Sequence, residues 1–404
     1  MAHQTEPWDC LVAGTGPAGL ATAIALAARG VRVGLVGPPA SARETPLDAR
    51  TFALFQPTLR FLERLGIWPL PGSDVAPLRR IDLVDDTGRL LRAPDAQFHA
   101  TEVGYPAFGY NIPHAVLVKA LVSRLAEHSD RVEQFPSPVQ SVEGAADSVT
   151  VHLADGRVLH TRLLIGADGR QSVCRELGRF ATRRWSYGQT ALVVSVSHSR
   201  PHDFVSTELH RPAGPLTTVP LPGLASSIVW VERPAEAERL KALDEAAFTA
   251  ELHHRLQGLL GRISALGPRQ IFVLDGLVAS PAGRNRIALV GEALHAFPPI
   301  GAQGLNLGFR DVASLIEAIA DHGAGDPGAQ SVLEAYSSDR GRDVVFRTLM
   351  VDALDRSLTS TLPPLQLLRG GGLHIINRLP PLRRALMRRG MGPMGSLPAM
   401  MQEP

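Results

Sequence analysis

Lysine is nearly missing from this chain: Lys119 and Lys241 are the only two, so arginine carries almost all the positive charge. Cysteine is as scarce. Cys10 and Cys174 stand alone, which excludes a disulfide framework and a cysteine metal site. No uninterrupted apolar run approaches the roughly 18–20 residues that cross a bilayer. The start, M-A-H-Q-T-E-P-W-D, is too polar and short for a secretory signal. The chain is therefore expected in the cytoplasm, with any membrane contact peripheral. A formal charge of +2 over 404 residues gives no nucleic-acid signal. Metal chemistry finds no support among the fourteen histidines. His198 and His202 are four apart, but Pro201 disfavours the helix that would join them. His253 and His254 are adjacent and point different ways on a helix, and H-E-x-x-H does not occur. Nor does G-x-S-x-G, the turn that presents the nucleophile of an α/β-hydrolase.

What is present reads as a soluble enzyme, 45% hydrophobic and 20% charged, long enough for two closely connected domains. Residues 8–13 predict a short apolar strand, followed by a glycine turn, an alanine-rich helix over 17–29 and a second strand over 31–36. Gly30 suits the helix exit. A helix is expected over 51–65, with Phe55, Leu59 and Leu62 along one face. The middle alternates instead. Residues 189–197 place Leu192, Val194 and Val196 on one side, and strands follow near 204–210, 216–221 and 226–232. R-P-A-G-P and P-G-L-A separate them, so the four strands read as an antiparallel meander. Asp244 is a helix N-cap ahead of Phe248, Leu252 and Leu256. An apolar strand returns at 287–290, then a glycine-rich loop and a helix from near Gly304 to about Ala320.

The predicted fold is α/β: a Rossmann-like cofactor domain interrupted by an antiparallel β-rich domain, with a helical C-terminal tail. The expected cofactor domain comprises 1–75, 105–182 and 276–345. The β-rich substrate domain takes 76–104 and 183–275, and the tail 346–404.

Three segments carry chemistry. In Gly14-Thr15-Gly16-Pro17-Ala18-Gly19 the first glycine permits the tight turn and the second lets backbone approach a pyrophosphate; the third allows close helix packing. N–H groups at the helix start then face the phosphates. The acidic residue expected at the end of the second strand is replaced by Gly37, so ribose contacts must come from elsewhere. The second segment is L-L-I-G-A-D-G-R-Q-S-V-C-R, residues 163–175. Its Asp168-Gly169 reads either as a simple turn or as a ligand-facing one. The third begins I-A-L-V-G-E-A-L-H, with Gly291, Glu292 and His295, and continues through Pro298, Gly301, Gly304, Leu305 and Asn306. A carboxylate at such a strand end can bind polyol hydroxyls. Glycines at the following helix start leave N–H groups free to face an electron-rich edge, a stabilisation of roughly 0.3–2 kcal/mol. The alternative is a purely structural loop.

With all three segments, the sequence resembles the class A flavin-dependent aromatic monooxygenases, and among them the hydroxylases of ubiquinone biosynthesis. The similarity runs from about residue 8 to 395. It rests on G-T-G-P-A-G, on the 163–175 segment and on P-P-I-G-A-Q-G-L-N-L-G-F-R-D. H-R-P-A-G-P-L-T-T-V-P-L-P-G resembles the quinone-pathway branch rather than the hydroxylases of soluble phenols. The resemblance implies FAD as cofactor, with Arg50 near the pyrophosphate. Asp168 and Gly169 fall in the segment thought to touch both FAD and the nicotinamide. Glu292 stands where the family usually places an aspartate on the ribityl chain.

It also implies the chemistry. NAD(P)H reduces the flavin as co-substrate, dioxygen is activated, and one oxygen atom passes to an electron-rich ring from which water is excluded. The absence of a second dinucleotide fingerprint fits a nicotinamide that binds transiently. No catalytic base is evident. His295 is the nearest titratable candidate, and ordering the loop is its alternative role. The implied substrate is a polyprenylated phenol. Alternatives are a hydroxylase or reductase of a smaller aromatic compound, or a flavin-containing scaffold in a quinone-biosynthetic complex. In the tail, Leu379, Leu382 and Leu386 share a helix face, with Arg383, Arg384 and Arg388 elsewhere around it, between Pro380-Pro381 and Gly390. That helix either contacts a membrane or partner, or caps the protein's own core.

Overall fold

Buried apolar residues decide where the first unit forms. The last four residues of β1 (Trp8–Ala13) are buried, as are all four of β2 (Val33–Val36) and all of α1 (Pro17–Ala27) from Gly19 onward. A helix enclosed on all sides needs no apolar stripe, so small alanines suffice. The structure, a computed structural model, describes residues 6–39, 50–88, 92–298, 302–359, 371–372, 374–376, 378–392 and 395–403, with 351–359 as backbone alone. Next come β3 (Thr51–Phe55), α2 (Gln56–Arg64), β4 (Ala76–Leu78), β5 (Arg80–Asp85), β6 (Ala96–His99), β7 (Gly109–Pro113) and α3 (His114–Ala126). They lead to β8 (Val132–Phe135), β9 (Val139–Gly144), β10 (Val149–Leu153), β11 (Val158–Gly166), α4 (Val173–Leu177) and β12 (Ala181–His198). The β-rich stretch continues with β13 (Val205–His210), β14 (Leu216–Leu221), β15 (Ala225–Glu232), α5 (Pro234–Ala242), α6 (Glu245–Leu256), β16 (Ile263–Leu266) and β17 (Gln270–Ser280). Last are β18 (Gly283–Arg284), β19 (Ile287–Leu289), β20 (His295–Ala296), α7 (Gln303–His322), α8 (Gln330–Thr359) and α9 (Pro380–Met391).

The first sheet runs β18-β19-β11-β1-β2-β8, with β10 and β9 continuing from β11. β8, β2, β1, β11 and β19 are parallel to their neighbours in this order. The second sheet runs β20-β17-β12-β15-β14-β13-β5-β6, and β3-β7-β4 form a small third one. A Rossmann-like parallel sheet with an inserted β-rich sheet and a helical C-terminal stretch is the α/β architecture expected. Asp244 caps α6 as expected, its Oδ1 accepting from Ala247 N–H at 2.7 Å. Phe248, Leu252 and Leu256 then pack on Leu192, Val194 and Trp230.

Two expectations are corrected. Residues 51–55 are a strand, not the first turn of a helix over 51–65. Phe52 and Leu54 pair with Ile112 and Tyr110 of β7, and Pro57 is tolerated only in a helix's first turn, so α2 starts at Gln56. The four central strands are not a simple meander either. β13, β14 and β15 are, but β12 lies beside β15 rather than β13, with Val194 opposite Ile228. The other edge of β12 is taken by β17 and β16, so β13 pairs in parallel with β5 instead.

Buried charge fixes α7 against α8. Arg310 Nη1 donates to Asp343 Oδ2 at 2.8 Å, and Arg340 donates to Asp343 at 3.0 Å and through Nε to Asp311 Oδ1 at 2.8 Å. Arg347 reaches the carbonyls of Arg389 (3.1 Å), Gly390 (3.4 Å) and Gly392, which the end of α9 leaves without helical partners. Burial alone would raise the Asp343 carboxyl, but Arg310 and Arg340 outweigh it and hold it down at about 2. Burial lowers the Arg347 guanidinium to about 10, and neighbouring Arg310 adds to the effect.

A carboxyl depressed in the folded state stabilises fully above its ordinary value of 3.8, and that contribution is lost as pH falls toward 2. Asp343→Asn leaves two buried arginines without their shared anion and is expected to cost about 3–5 kcal/mol near neutral pH. Urea unfolding of both proteins should show this gap narrowing as the pH is lowered through the range between 3.8 and about 2. A gap independent of pH would contradict the assignment.

Candidate flavin site

Three loops leave the carboxyl ends of β1, β11 and β19, the edge at which parallel α/β sheets bind ligands. Ala13 stands opposite Gly166, and Gly166 opposite Leu289, so the three strands end at one level. Backbone bonds continue that register into the loops. Gly14 N–H donates to Val36 O (2.8 Å), Ala167 N–H to Ala13 O (2.7 Å) and Val290 N–H to Gly166 O (2.9 Å). Segments about 150 and 120 residues apart in sequence thus lie side by side.

In the first loop Gly14 has φ +123°, and a Cβ there would fall 2.1 Å from Ala167 O. A Cβ on Gly19 would fall 1.9 Å from Gly14 O, so these two glycines close the loop onto the sheet. Gly16 differs. Its φ of −77° suits any residue, and no atom lies within 4 Å of where its Cβ would be. That open face, followed by Pro17 at the helix start and the unpaired N–H groups of Ala18 and Gly19, is a cradle for an anion. Thr15 Oγ1 donates to Pro38 O at 2.5 Å and pins the end of β2 beside Gly37.

The second loop contributes a carboxylate. Asp168 Oδ2 accepts from Cys174 N–H at 3.0 Å, while its Oδ1 is buried without a partner among the described residues. A buried acceptor left in that condition is the mark of a missing ligand or water. Gly169 follows with φ +81°. Burial, reinforced by Asp168, pushes the Cys174 thiol well up, so it stays a neutral packing group. Arg175 was not foreseen as a site residue. It is 1% exposed, and its Nη1 and Nη2 donate to Ala293 O and Arg170 O, each at 2.9 Å, tying the second loop to the third. Its place at the end of the motif was the only signal.

The third loop makes a short 3-10 turn, Gly291–Ala293. Gly291 N–H donates to Asp311 Oδ2 at 2.9 Å, and His295 Nε2 pairs with the same oxygen at 2.7 Å. His295 is 2% exposed and stacks on Phe297 with ring centroids 5.4 Å apart. The ring therefore anchors this loop to α7. Glu292 remains exposed on the turn, and Pro298 is buried. Gly301 lies outside the described residues. At the start of α7, Gly304 is exposed with open space around it, and Leu305 is half-buried. The dipole of α7 places partial positive charge at this helix start.

The side chain of Asn306 turns into the protein. Its Oδ1 accepts from Phe55 N–H (3.0 Å) and Thr58 Oγ1 (2.7 Å), and its Nδ2 donates to Ala53 O (2.8 Å) and Ala302 O (2.7 Å). The amide is fully engaged within the protein, so it positions α7 on β3 and α2. Arg50 is exposed just before β3, its carbonyl accepting from His114 N–H at 3.0 Å.

An anion cradle, a buried carboxylate oxygen awaiting a donor, an exposed carboxylate and a helix N-terminus together fit FAD. Gly16→Val tests the cradle without straining the backbone: its apoprotein should match the wild-type apoprotein to within about 1 kcal/mol of stability, while bound flavin absorbance is lost. Gly14→Ala should instead lower stability, because its Cβ meets Ala167 O. Full flavin content in Gly16→Val would contradict the placement.

Comparisons with known proteins agree. The model of the FAD binding domain family matches residues 8–350. Ubiquinone hydroxylase UbiL of Rhodospirillum rubrum is 34% identical over 95% of this chain and 89% of its own length. The 3-demethoxyubiquinol 3-hydroxylase of Escherichia coli is 27% identical over 96% and 99%. Among solved structures, p-nitrophenol 4-monooxygenase PnpA of Pseudomonas putida superposes with TM-score 0.77 over 96% of this chain and 99% of that one, at 21% identity, which supports the fold. The chain belongs to the FAD binding domain family and is a class A FAD-dependent aromatic monooxygenase related to the ubiquinone hydroxylases.

Proposed function

We propose that this hydroxylase acts on the ring of a polyprenylated phenol on the route to ubiquinone, with NAD(P)H as electron donor and dioxygen as oxygen source. The observation that carries the substrate reading is the match, along nearly the whole chain, to two hydroxylases named for quinone substrates. Bound FAD supplies the two-electron chemistry and the activation of dioxygen. The protein's part is to bind, orient and exclude water. Ala18 and Gly19 N–H groups would hold the pyrophosphate of FAD, Glu292 and Asp168 would accept from its hydroxyls, and the partial positive charge at the start of α7 would favour negative charge on the flavin. His295 pairs through Nε2 with Asp311 and keeps the third loop in place.

An apolar cluster supports an oily substrate. Phe55, Leu78, Val103, Phe108, Met387 and Met391 pack together and reach Ala302, the N-cap of α7. No helix among the described residues is long and apolar enough to cross a membrane.

Mass spectrometry of quinone lipids from a strain lacking the gene tests the proposal. It should show a prenylphenol that lacks one ring oxygen, and purified protein should consume NAD(P)H with that compound. An unchanged quinone profile after related hydroxylases are also deleted, with no such consumption, would overturn it.

A further inference from the structure

We infer that α9 and the turn before it form a docking surface for an anionic lipid membrane. Two faces of this helix do different work. Met387 and Met391 are buried in the apolar cluster beside α7, and Arg383 latches the helix to Glu102 at 2.6 Å with its guanidinium 4.6 Å from the centre of the Phe98 ring. The helix is therefore fixed from within. Leu382 and Leu386 on α9, with Ile375 and Leu379 on the turn before it, are 37–51% exposed. Leu379 N–H donates to Ile375 O and Arg383 N–H to Leu379 O, so the turn is tied to the start of α9. A helix latched on one face, with large apolar side chains left in water on it and on the turn before it, presents a surface made to be covered.

Charge selects the occupant. Arg378, Arg384 and Arg389 are exposed and form no ion pair among the described residues. From Arg356 to Gln402 the sequence has seven arginines and neither lysine, aspartate nor glutamate. That stretch carries +7 while the whole chain carries +2, which leaves −5 on the remainder. A basic end with an apolar stripe on an otherwise acidic protein orients the molecule toward a negative, oily surface. Arginine also suits phosphate, which it binds bidentately. The surface deepens the proposal of a lipid-like substrate, because it holds the cluster around Met387 and Met391 at the membrane where such a substrate resides.

Flotation of the FAD-loaded full chain tests it, with vesicles of phosphatidylcholine alone or mixed with phosphatidylglycerol. The protein should float with the mixed vesicles, not with phosphatidylcholine alone, and high salt should release it. Arg378→Glu/Arg384→Glu/Arg389→Glu should reduce the bound fraction about tenfold or more. Leu382→Gln/Leu386→Gln should abolish binding with flavin content and melting temperature unchanged. If either multiple variant melts early, the single variants Arg384→Glu and Leu386→Gln serve for the same reading. Equal flotation on both vesicle types, none on either, or binding that survives both sets of changes would overturn the inference. A dimer dissociated by Leu382→Gln/Leu386→Gln, without vesicle binding, would assign the face to a second copy of the chain and overturn it equally. The measurement needs no turnover, so its failure and the failure of the substrate proposal are seen separately.

Discussion

Backbone hydrogen bonds from Ala167 N–H to Ala13 O and from Val290 N–H to Gly166 O hold three loops at one level, and the rest of the site depends on that registration. A parallel sheet fixes its strands to fractions of an ångström, whereas the loops themselves are rich in glycine and have little local preference. Shifting β19 by one residue against β11 would exchange its faces and carry Gly291, Glu292 and His295 away from Gly14. Arg175 adds a side-chain tie across the same gap, joining the Arg170 and Ala293 carbonyls in a place where water cannot compete.

The third loop also needs support from behind. Asp311 is fully buried and accepts from Gly291 N–H, His295 and Arg340, so one carboxylate joins the loop to both long helices. Burial lowers and the two aspartates, Asp311 and Asp343, raise the Arg340 guanidinium, and the aspartates prevail, so it stays charged. Arg310 and Arg347 from the same helix pair reach the carbonyls at the end of α9. Such buried charges contribute little net stability compared with apolar packing, but removal of any one is costly because the others remain. The arrangement therefore gives geometric specificity: loop, helix start and C-terminal helix are set by one shared group of ions.

The sequence made legible those features whose cause is local. Gly14 makes the tight turn and Gly19 the close packing that their spacing implies, and Asp244 caps the helix it precedes. Features that depend on distant partners were hidden. T-F-A-L-F alternates well enough for a strand and also continues the helical spacing to Leu59 and Leu62, so β7 had to decide between them. The neighbour of β12 depends on which edges other strands fill, which short turns cannot reveal. Asn306 sits in a glycine-rich motif and looks ligand-facing, yet its partners Phe55 and Thr58 lie some 250 residues earlier. The tail left two readings open; Met387 and Met391 are buried against the protein, as a cap on its own core requires, while Leu382 and Leu386 of the same helix are exposed.

The central claim is that one FAD molecule contacts all three loops at once. Hydrogen–deuterium exchange of the apoprotein with and without FAD tests this most directly, because amide protection reports each segment separately. The account predicts slower exchange on FAD binding in residues 14–19, 166–169 and 290–293 together, and in the first turn of α7. Protection confined to residues 14–19, with the other two loops unchanged at saturating FAD, would contradict it.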